Sequence, residues 1–400
     1  MTDAGSVDLA KAAVAGAVDG ARDELVELSH RIHGTPEIAF EEERASTWVA
    51  DALAKAGFDV EHGVCDLPTA FTATAGSGTL TIGICAEYDA LPGLGHACGH
   101  NVIAAAAVGA ARALAPLADD LDITVRVLGT PAEERGGGKI LMLERGAFDG
   151  VHASMMVHPT PYESVEMPCL AVGQLRPRFH GRSAPATFPQ DGINAADALT
   201  IAQVALGLLR QHIRLDERIH GIVTGAGDVP NVIPHEATGW WSARAATTEA
   251  LEPLTDRVRA CFEAGAVATG ATLSWDEVPP VYSHMEADVE LGELYRRNAV
   301  TAGRTFDDDL DPNVAGSTDM ANVSLAMPAI HPLLSLDCLP AVNHQPGFAA
   351  AAVSDRADGA VRDGAVLMAW TAIDAATAPP VRQRLLGNPA TYATRSGGSP

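Results

Sequence analysis

The sequence predicts an α/β protein with a doubly wound sheet, interrupted by a smaller α+β domain. Two observations lead to this fold class. Between residues 79 and 159, strand-like and helix-like segments alternate, and polar residues of the kind found in active sites follow the strands. Between residues 171 and 278, the order becomes β-α-β-β-α-β, which is the ferredoxin-like arrangement. We therefore expect a discontinuous main domain, residues 1–168 and 282–400, with an inserted domain at residues 169–281.

The first 160 residues alternate between helical and strand-like patterns. Apolar residues recur at helical spacing from Val7 to about His33, where Thr35 and Pro36 end the pattern. The other elements predicted here are a helix at 38–57, strands at 58–64, 70–75 and 79–85, a small-residue helix at 101–114, a strand at 122–129, a helix at 140–146 and a strand at 153–159.

The inserted segment and the C-terminal part follow different patterns. The insertion is predicted to contain a strand at 171–179, a helix at 194–212, strands at 218–225 and 235–245, a helix at 248–270 and a strand at 271–278. The last part is predicted to contain a helix at 286–303, a Gly/polar loop at 313–319, a strand at 329–334 and mostly helix at 349–376. Residues after Ala378 are rich in Pro, Gly and Ser, so we expect a poorly ordered tail.

Composition and charge exclude several classes of function. The formal net charge is −24, from 51 acidic and 27 basic residues, and no basic run could follow a phosphate backbone. We therefore expect no nucleic-acid partner. No apolar run reaches the ~20 residues of a membrane span, so we expect no membrane partner. Six scattered cysteines do not form a disulfide framework, and the N-terminus lacks a signal-peptide pattern, so we expect a cytoplasmic protein.

A cluster of metal-binding side chains follows the strand at 79–85. This cluster consists of Glu87, Asp89, His96, Cys98 and His100. The C-x-H spacing suits a borderline-soft ion such as zinc. The alternative is a reduced cysteine with two helix-capping histidines, and this segment alone does not separate the two interpretations.

Adjacent carboxylates, Glu133 and Glu134, follow the strand at 122–129. Neighbouring side chains of an extended loop point to opposite sides, so one could bind an ion while the other exchanges protons with a substrate. Taken alone, the pair is better explained as a solvated helix cap. His158 and His344 are equally ambiguous in isolation. The joint occurrence of these residues after successive strands favours a metal-dependent hydrolase.

The sequence resembles the aminoacylase/carboxypeptidase-type metallopeptidase family, metallopeptidase family twenty. Within that family it is most similar to the branch of acyl-amino-acid hydrolases and dipeptidases. The matching stretches span nearly the whole chain in order: HRIHGTPEIAFEE, EYDALPGLGHACGHN, LGTPAEERGGGK, VHP, RIHGIVTGAGDVPNVIP, GSTDMANVS, AIHP and VNHQP.

The resemblance implies a zinc-peptidase-like catalytic domain and an inserted lid domain that usually dimerises, so a homodimer is expected. It also implies two divalent ions per subunit, with zinc favoured and manganese or cobalt as alternatives. The expected substrate is a small acyl-amino acid or a dipeptide. Glu133 would be the general base and acid, Asp89 would orient a ligand, and Asn231 would contact the substrate. The implied ion ligands are Cys98, His100, Glu134, His158 and His344.

One departure from the family pattern concerns the lid. Where the family carries a histidine thought to stabilise the oxyanion, this chain has Pro185. Loss of an oxyanion donor typically costs ~100–1000-fold in rate. Either another group substitutes, with His220 and Arg182 as candidates, or the protein is a weak or inactive hydrolase that acts as a small-molecule binding protein. A cysteine-nucleophile hydrolase that uses Cys98 is a third alternative, but it leaves the paired glutamates unexplained.

Overall fold

The computed structural model describes residues 4–307 and 316–387. The chain divides into two compact units, one formed by Met1–Pro168 and Met285–Pro400 and the other by Cys169–His284. The predicted insertion ended at residue 281, three residues before the end of the second unit.

The first unit begins with three helices and then alternates strands with helices. In chain order its elements are α1 (Ala4–Gly20), α2 (Arg22–His33), α3 (Glu43–Lys55), β1 (Asp59–His62), β2 (Phe71–Ala75), β3 (Leu80–Glu87), α4 (His100–Leu114), α5 (Ala118–Leu121), β4 (Ile123–Thr130), α6 (Gly138–Glu144), β5 (Ala153–Met155) and β6 (His158–Thr160).

The second unit has the predicted order β-α-β-β-α-β, with the first strand split in two. Its elements are β7 (Ala171–Leu175), β8 (Pro177–His180), α7 (Ala195–Leu209), β9 (Arg218–Gly225), β10 (Glu236–Ala245), α8 (Thr248–Thr269) and β11 (Thr272–Trp275). Both β7 and β8 pair with β10, and β11 pairs with β8. All pairs are antiparallel, and β9 pairs with β10. Phe262 of α8 packs against Phe179, Trp241 and Trp275 in the core of this unit.

The chain then returns to the first unit. The remaining elements are α9 (Val289–Thr301), α10 (Met320–Ala326), β12 (Ala329–Ile330), β13 (Leu333–Ser335), α11 (Pro346–Ala351), α12 (Asp355–Thr377) and α13 (Pro379–Leu386). Each of the two long helices begins at a side-chain cap: Asp288 accepts a hydrogen bond from the Leu291 N–H, and Ser354 accepts one from the Ala357 N–H.

A six-stranded sheet in the order β1-β2-β4-β3-β5-β12 forms the centre of the first unit. Four neighbouring strands, β4, β3, β5 and β12, are parallel to one another. At one edge, β2 pairs antiparallel with β4, and β1 pairs antiparallel with β2. All eight residues of β3 are buried, as expected for a central parallel strand with both faces covered. The predicted doubly wound sheet is therefore confirmed.

Small side chains allow close packing around α4. Fourteen of its fifteen residues are buried, and the helix packs against α12, α1 and α2. A Cβ atom at Gly109 would lie 2.8 Å from the Cβ of Ala365, so a larger residue there would force α4 and α12 apart. Among the described residues, the stretch His100–Leu121 is long and apolar enough to cross a membrane, but 78% of its apolar 18-residue window is buried inside the protein. It is therefore a core helix of this unit.

Several predicted boundaries differ from the structure. The helix predicted from Val7 to His33 is two helices, separated at Ala21. The strands predicted at 153–159 and 329–334 are each split in two, because β5 pairs with β12 in the main sheet while β6 pairs with β13 in a separate one. The helix α10 was not predicted.

The disordered tail predicted after Ala378 is wrong as far as Leu386. Residues 379–386 form α13, in which Leu385 is buried and Arg384 pairs with Asp288 and Glu290. The rest of the predicted tail, from residue 388, lies outside the described residues, as do residues 313–315 of the predicted Gly/polar loop.

Candidate metal centre

The predicted ligands come from loops at the ends of neighbouring strands. Cys98 lies in the loop between β3 and α4, and His100 is the first residue of α4. Glu134 follows β4, and His158 begins β6, shortly after β5 ends. His344 lies in the loop before α11. Since β3, β4 and β5 are neighbouring parallel strands, the loops that follow them meet at one edge of the sheet.

These five side chains converge in two groups that share Cys98. The donor atoms of Cys98, His100 and His158 lie within 4.8 Å of one another, and so do those of Cys98, Glu134 and His344. The thiol sulfur of Cys98 is 3.5 Å from Nε2 of His158, and Oε1 of Glu134 is 3.5 Å from Nε2 of His344. Residues up to 246 positions apart in the chain therefore form one cluster.

Hydrogen bonds fix the two buried imidazoles with Nε2 facing the cluster. Nδ1 of His100 donates to the carbonyl oxygen of Asp89 at 2.8 Å and lies 3.1 Å from its carboxylate. Nδ1 of His158 donates to the carbonyl oxygen of Pro159 at 2.9 Å. Because a carbonyl oxygen can only accept, both Nδ1 atoms carry a proton. Nε2 of His158 keeps its lone pair. Although burial opposes it, the Glu87 carboxylate raises the pKa of His100 well above its usual range, so Nε2 of His100 must lose a proton when it binds an ion. Asp89 therefore has the contact expected of a residue that orients a ligand.

The two adjacent glutamates occupy different surroundings. The turn after β4 contains Ala132 at φ +60°, and its carbonyl accepts hydrogen bonds from the N–H groups of Gly136 and Gly137. Glu134 groups with Cys98 and His344, and its backbone N–H donates to the Asp89 carboxylate at 3.0 Å. Glu133 groups instead with His100 and Glu87. The pair is therefore divided between two sides of the cluster, as the alternation of side chains predicted.

The donor set fits a divalent cation. Oε1 of Glu134 and Nε2 of His100 are buried and have no hydrogen-bond partner among the described residues. Leaving a buried polar atom unsatisfied costs ~1–3 kcal/mol, and a bound ion would remove this cost. Thiolate, imidazole and carboxylate ligands together suit zinc and related transition metals.

Burial shifts the pKa values of the site residues. Burial raises the pKa of the Cys98 thiol. Burial and the negative charges of Glu87 and Glu134 together raise the pKa of Glu133 well above its usual range. Burial, assisted by the nearby His100, lowers the pKa of His158 to about 4. His158 is therefore neutral at physiological pH, as a metal ligand must be.

A cavity of about 700 Å³ adjoins the cluster. Cys98, Glu133, Glu134, His158 and His344 form part of its wall. The rest of the wall includes Tyr162, Met167, Leu333 and the exposed Glu166. The described lining residues include three glutamates and neither lysine nor arginine. The cavity is large enough for a dipeptide-sized molecule.

The residues predicted in the insertion all lie in the second unit. His220 is an exposed residue of β9, and Asn231 lies in the loop between β9 and β10. Pro185 forms an isolated bridge with Val232, and the neighbouring Ala186 N–H donates to the Asn231 carbonyl at 3.0 Å. The segment around Pro185, where the family has its lid histidine, therefore pairs with the segment that contains Asn231. Nε of Arg182 donates to the Asp191 carbonyl at 2.7 Å.

Two residues near the cluster carried no role in the sequence analysis. Lys139 and Asp319 were only parts of matching stretches, LGTPAEERGGGK and GSTDMANVS. Both are fully buried and form an ion pair, and Lys139 also contacts Glu87. The sequence contained one signal for this buried lysine: Lys139 begins the otherwise apolar run Lys139–Met142. His96, in contrast, packs beside His33, with 6.0 Å between the ring centroids.

Comparison with known proteins identifies related sequences and folds. A sequence model described as "Peptidase family M20/M25/M40" matches residues 83–357. The Xaa-Arg dipeptidase of Mus musculus is 36% identical over 390 residues, covering 93% of this chain and 90% of the mouse protein.

Two solved structures share the fold. The aminobenzoyl-glutamate utilization protein of Klebsiella pneumoniae has a TM-score of 0.68 at 20% identity, covering 87% of this chain and 96% of its own. The YXEP protein of Bacillus subtilis, described as a dinuclear metal binding peptidase, has a TM-score of 0.65 at 22% identity, covering 88% of this chain and 98% of its own.

Proposed function

The chain belongs to peptidase family M20/M25/M40 and is a hydrolase of carbon–nitrogen bonds, and we propose that it is a two-ion dipeptidase with a preference for basic residues. The observation that carries this proposal is the convergence of Cys98, His100, Glu134, His158 and His344 around a cavity that Glu133 also lines. Zinc is the favoured metal, with manganese and cobalt as alternatives.

Two ions are supported by the arrangement of the ligands. Cys98 belongs to both groups of donor atoms, so each group would hold one ion and Cys98 could serve as a ligand in both. The Bacillus subtilis protein of the same fold is described as dinuclear, which agrees with this assignment. A bound divalent cation would polarise the scissile carbonyl and make the attacking water more acidic.

Glu133 is the proposed proton carrier. Its carboxylate lines the cavity and lies on the side of the cluster away from the Glu134 group. It would accept a proton from the attacking water and deliver it to the nitrogen of the leaving amine. Asp89 would keep Nδ1 of His100 protonated, so that Nε2 stays available as a ligand.

Charge in the cavity supports a basic substrate. Two of the three glutamates in the described wall have other proposed roles, Glu134 as an ion ligand and Glu133 as the proton carrier, and the described lining contains no lysine or arginine. Of the three, Glu166 is exposed on the wall and is available to pair with the cationic side chain of a bound dipeptide. The mouse relative is named an Xaa-Arg dipeptidase. We therefore propose that dipeptides ending in arginine or lysine are better substrates than neutral dipeptides or N-acyl amino acids.

Two features of the second unit support a homodimer. The edge strand β9 has seven exposed residues of eight, including Ile222 and Val223. On α7, Ile201, Val204 and Leu208 are exposed apolar residues one helical turn apart or less. An exposed apolar strand edge pairs readily with a second chain. We propose that two copies associate through these elements. The six free thiols agree with a cytoplasmic location.

The test uses Glu133→Gln, with Glu144→Gln as the matched control because Glu144 is exposed at the end of α6. We expect Glu133→Gln to lower kcat by about 100–10,000-fold on an Xaa-Arg dipeptide without changing metal content. The control should keep full activity. Removal of metal with a chelator should abolish activity, and its return should restore it.

Two results would contradict the proposal. One is hydrolysis that survives complete metal removal. The other is a Glu133→Gln variant within about threefold of the parent in kcat. A higher kcat/KM for N-acyl neutral amino acids than for Xaa-Arg dipeptides would leave the hydrolase in place but refute the substrate preference.

A further inference from the structure

A buried lysine lies beside the candidate metal centre. Lys139, in the first turn of α6, has no exposed surface, although lysine is almost never fully buried without a partner. Its ammonium contacts a carboxylate oxygen of Glu87, at the end of β3, and lies 2.8 Å from Oδ1 of Asp319. The backbone N–H of Lys139 donates to Oδ2 of Asp319 at 2.9 Å. One positive charge therefore faces two buried carboxylates.

The two oxygens of Glu87 have different surroundings. Oε2 contacts Lys139, whereas Oε1 is buried without a hydrogen-bond partner among the described residues. Oε1 lies 3.0 Å from Nε2 of His100, which is also without one. Nδ1 of His100 donates its proton to Asp89. Nε2 can therefore face Oε1 of Glu87 in two ways: as a protonated nitrogen that donates to it, or as a lone pair that shares a cation with it.

The separation of the two atoms fits a shared ion. Imidazole nitrogen and carboxylate oxygen each bind zinc at about 2.0–2.2 Å, so one ion could contact both atoms at their separation of 3.0 Å. The donor atoms of Glu87, His100 and Glu133 also lie within 4.8 Å of one another. The contact with Lys139 accounts for Oε2, and either a proton on Nε2 of His100 or an ion shared with it accounts for Oε1.

We propose that Glu87 is a further ligand of the divalent cation held by His100, and that Lys139 positions it by holding its second oxygen. This assignment deepens the proposed function and rests on it. Glu87 would supply the anionic ligand at the His100 end of the cluster. Glu133 then need not bind the ion and remains available for proton transfer. Asp319 would anchor Lys139 without touching the ion.

Two variants separate these roles. Glu87→Gln and Asp319→Asn each remove one carboxylate charge from the same network and leave Lys139 with one remaining partner. They differ in that only Glu87 contacts His100. The metal-stripped full-length chain would be titrated with Mn²⁺ and with Co²⁺ by calorimetry, and the absorption spectrum of the Co²⁺ form would report coordination. Thermal unfolding of each metal-free variant checks that the fold is intact.

We expect Glu87→Gln to weaken the binding of one ion by about tenfold or more and to change the Co²⁺ spectrum. Asp319→Asn should stay within about threefold of the parent with an unchanged spectrum. If Glu87→Gln does not fold, Glu87→Asp takes its place in the test. The shorter side chain keeps a charge for Lys139 but withdraws the oxygen from His100. It should also weaken binding.

Equal effects of the Glu87 and Asp319 variants would overturn the inference, because they would indicate a purely structural network. Unchanged ion binding in Glu87→Gln would overturn it as well. If the parent chain itself bound no ion, the proposed function would fail together with this assignment. The parent titration therefore distinguishes the two failures.

Discussion

Two strands of equal length, β3 and β9, have opposite surroundings. Each contains eight residues, but every residue of β3 is buried, whereas seven of the eight residues of β9 are exposed. β3 has β4 on one side and β5 on the other. β9 pairs only with β10 among the described strands.

The difference separates the two tasks of the molecule. A strand covered on both faces and paired on both edges is held firmly by its neighbours, so it fixes the position of Glu87 at its end and of the loop that leads from there to His100. An unpaired edge with apolar side chains is instead available to a second chain. The central strand positions the candidate metal centre, and the edge strand belongs to the surface that we propose for self-association.

The largest expected contrast in stability is between two isoleucines of these strands. Ile84 of β3 is fully buried, whereas Ile222 of β9 is 60% exposed. Ile84→Ala should lower the free energy of unfolding by about 2–5 kcal/mol at every protein concentration, because it leaves a cavity in a packed core. Any loss in Ile222→Ala should depend on protein concentration, because it would arise from association. Urea titrations at several concentrations measure both, and equal, concentration-independent losses would contradict the comparison.

A smaller effect is expected on self-association. Leu208 of α7 is 59% exposed in the single chain. If it is buried between two copies, Leu208→Glu should weaken the dimer at least about tenfold, or about 1.4 kcal/mol. Leu9→Glu is the matched control, because Leu9 of α1 is 74% exposed in the other unit. Sedimentation velocity over a concentration series measures this, and a Leu208→Glu variant as dimeric as the parent would refute the assigned surface.

The smallest expected effect concerns pH. Burial, with the nearby charges of His100 and His33, lowers the pKa of His96 to about 3 from an ordinary value of 6.5. In acid the unfolded chain binds a proton that the folded chain does not, so unfolding is favoured as pH falls from 6.5 towards 3. For this one group the loss is about 1 kcal/mol between pH 6.5 and pH 5.5.

His96→Leu should remove that part of the acid sensitivity of the metal-free protein. His235→Leu is the control, because His235 is exposed in the second unit. Denaturant titrations at the two pH values would compare the three proteins. An unchanged pH dependence in His96→Leu would show that His96 is not kept neutral by the fold.

The sequence predicted what local patterns determine. The alternation of strands and helices identified the main sheet, and the loops after β3 and β4 contained Cys98, His100 and the two glutamates. It did not predict the interruption of the first helix at Ala21, although Gly20 directly precedes the break. The ion pair of Lys139 with Asp319 joins positions 180 residues apart, and no local pattern encodes such a contact.

X-ray absorption at the zinc edge of the zinc-loaded protein tests the proposed metal centre most directly. The convergence of Cys98 with the four other ligands predicts a sulfur neighbour at about 2.3 Å. This signal should disappear in Cys98→Ser and persist in Cys85→Ser, because Cys85 is buried within β3. A spectrum without sulfur, or one unchanged in Cys98→Ser, would contradict the proposed centre.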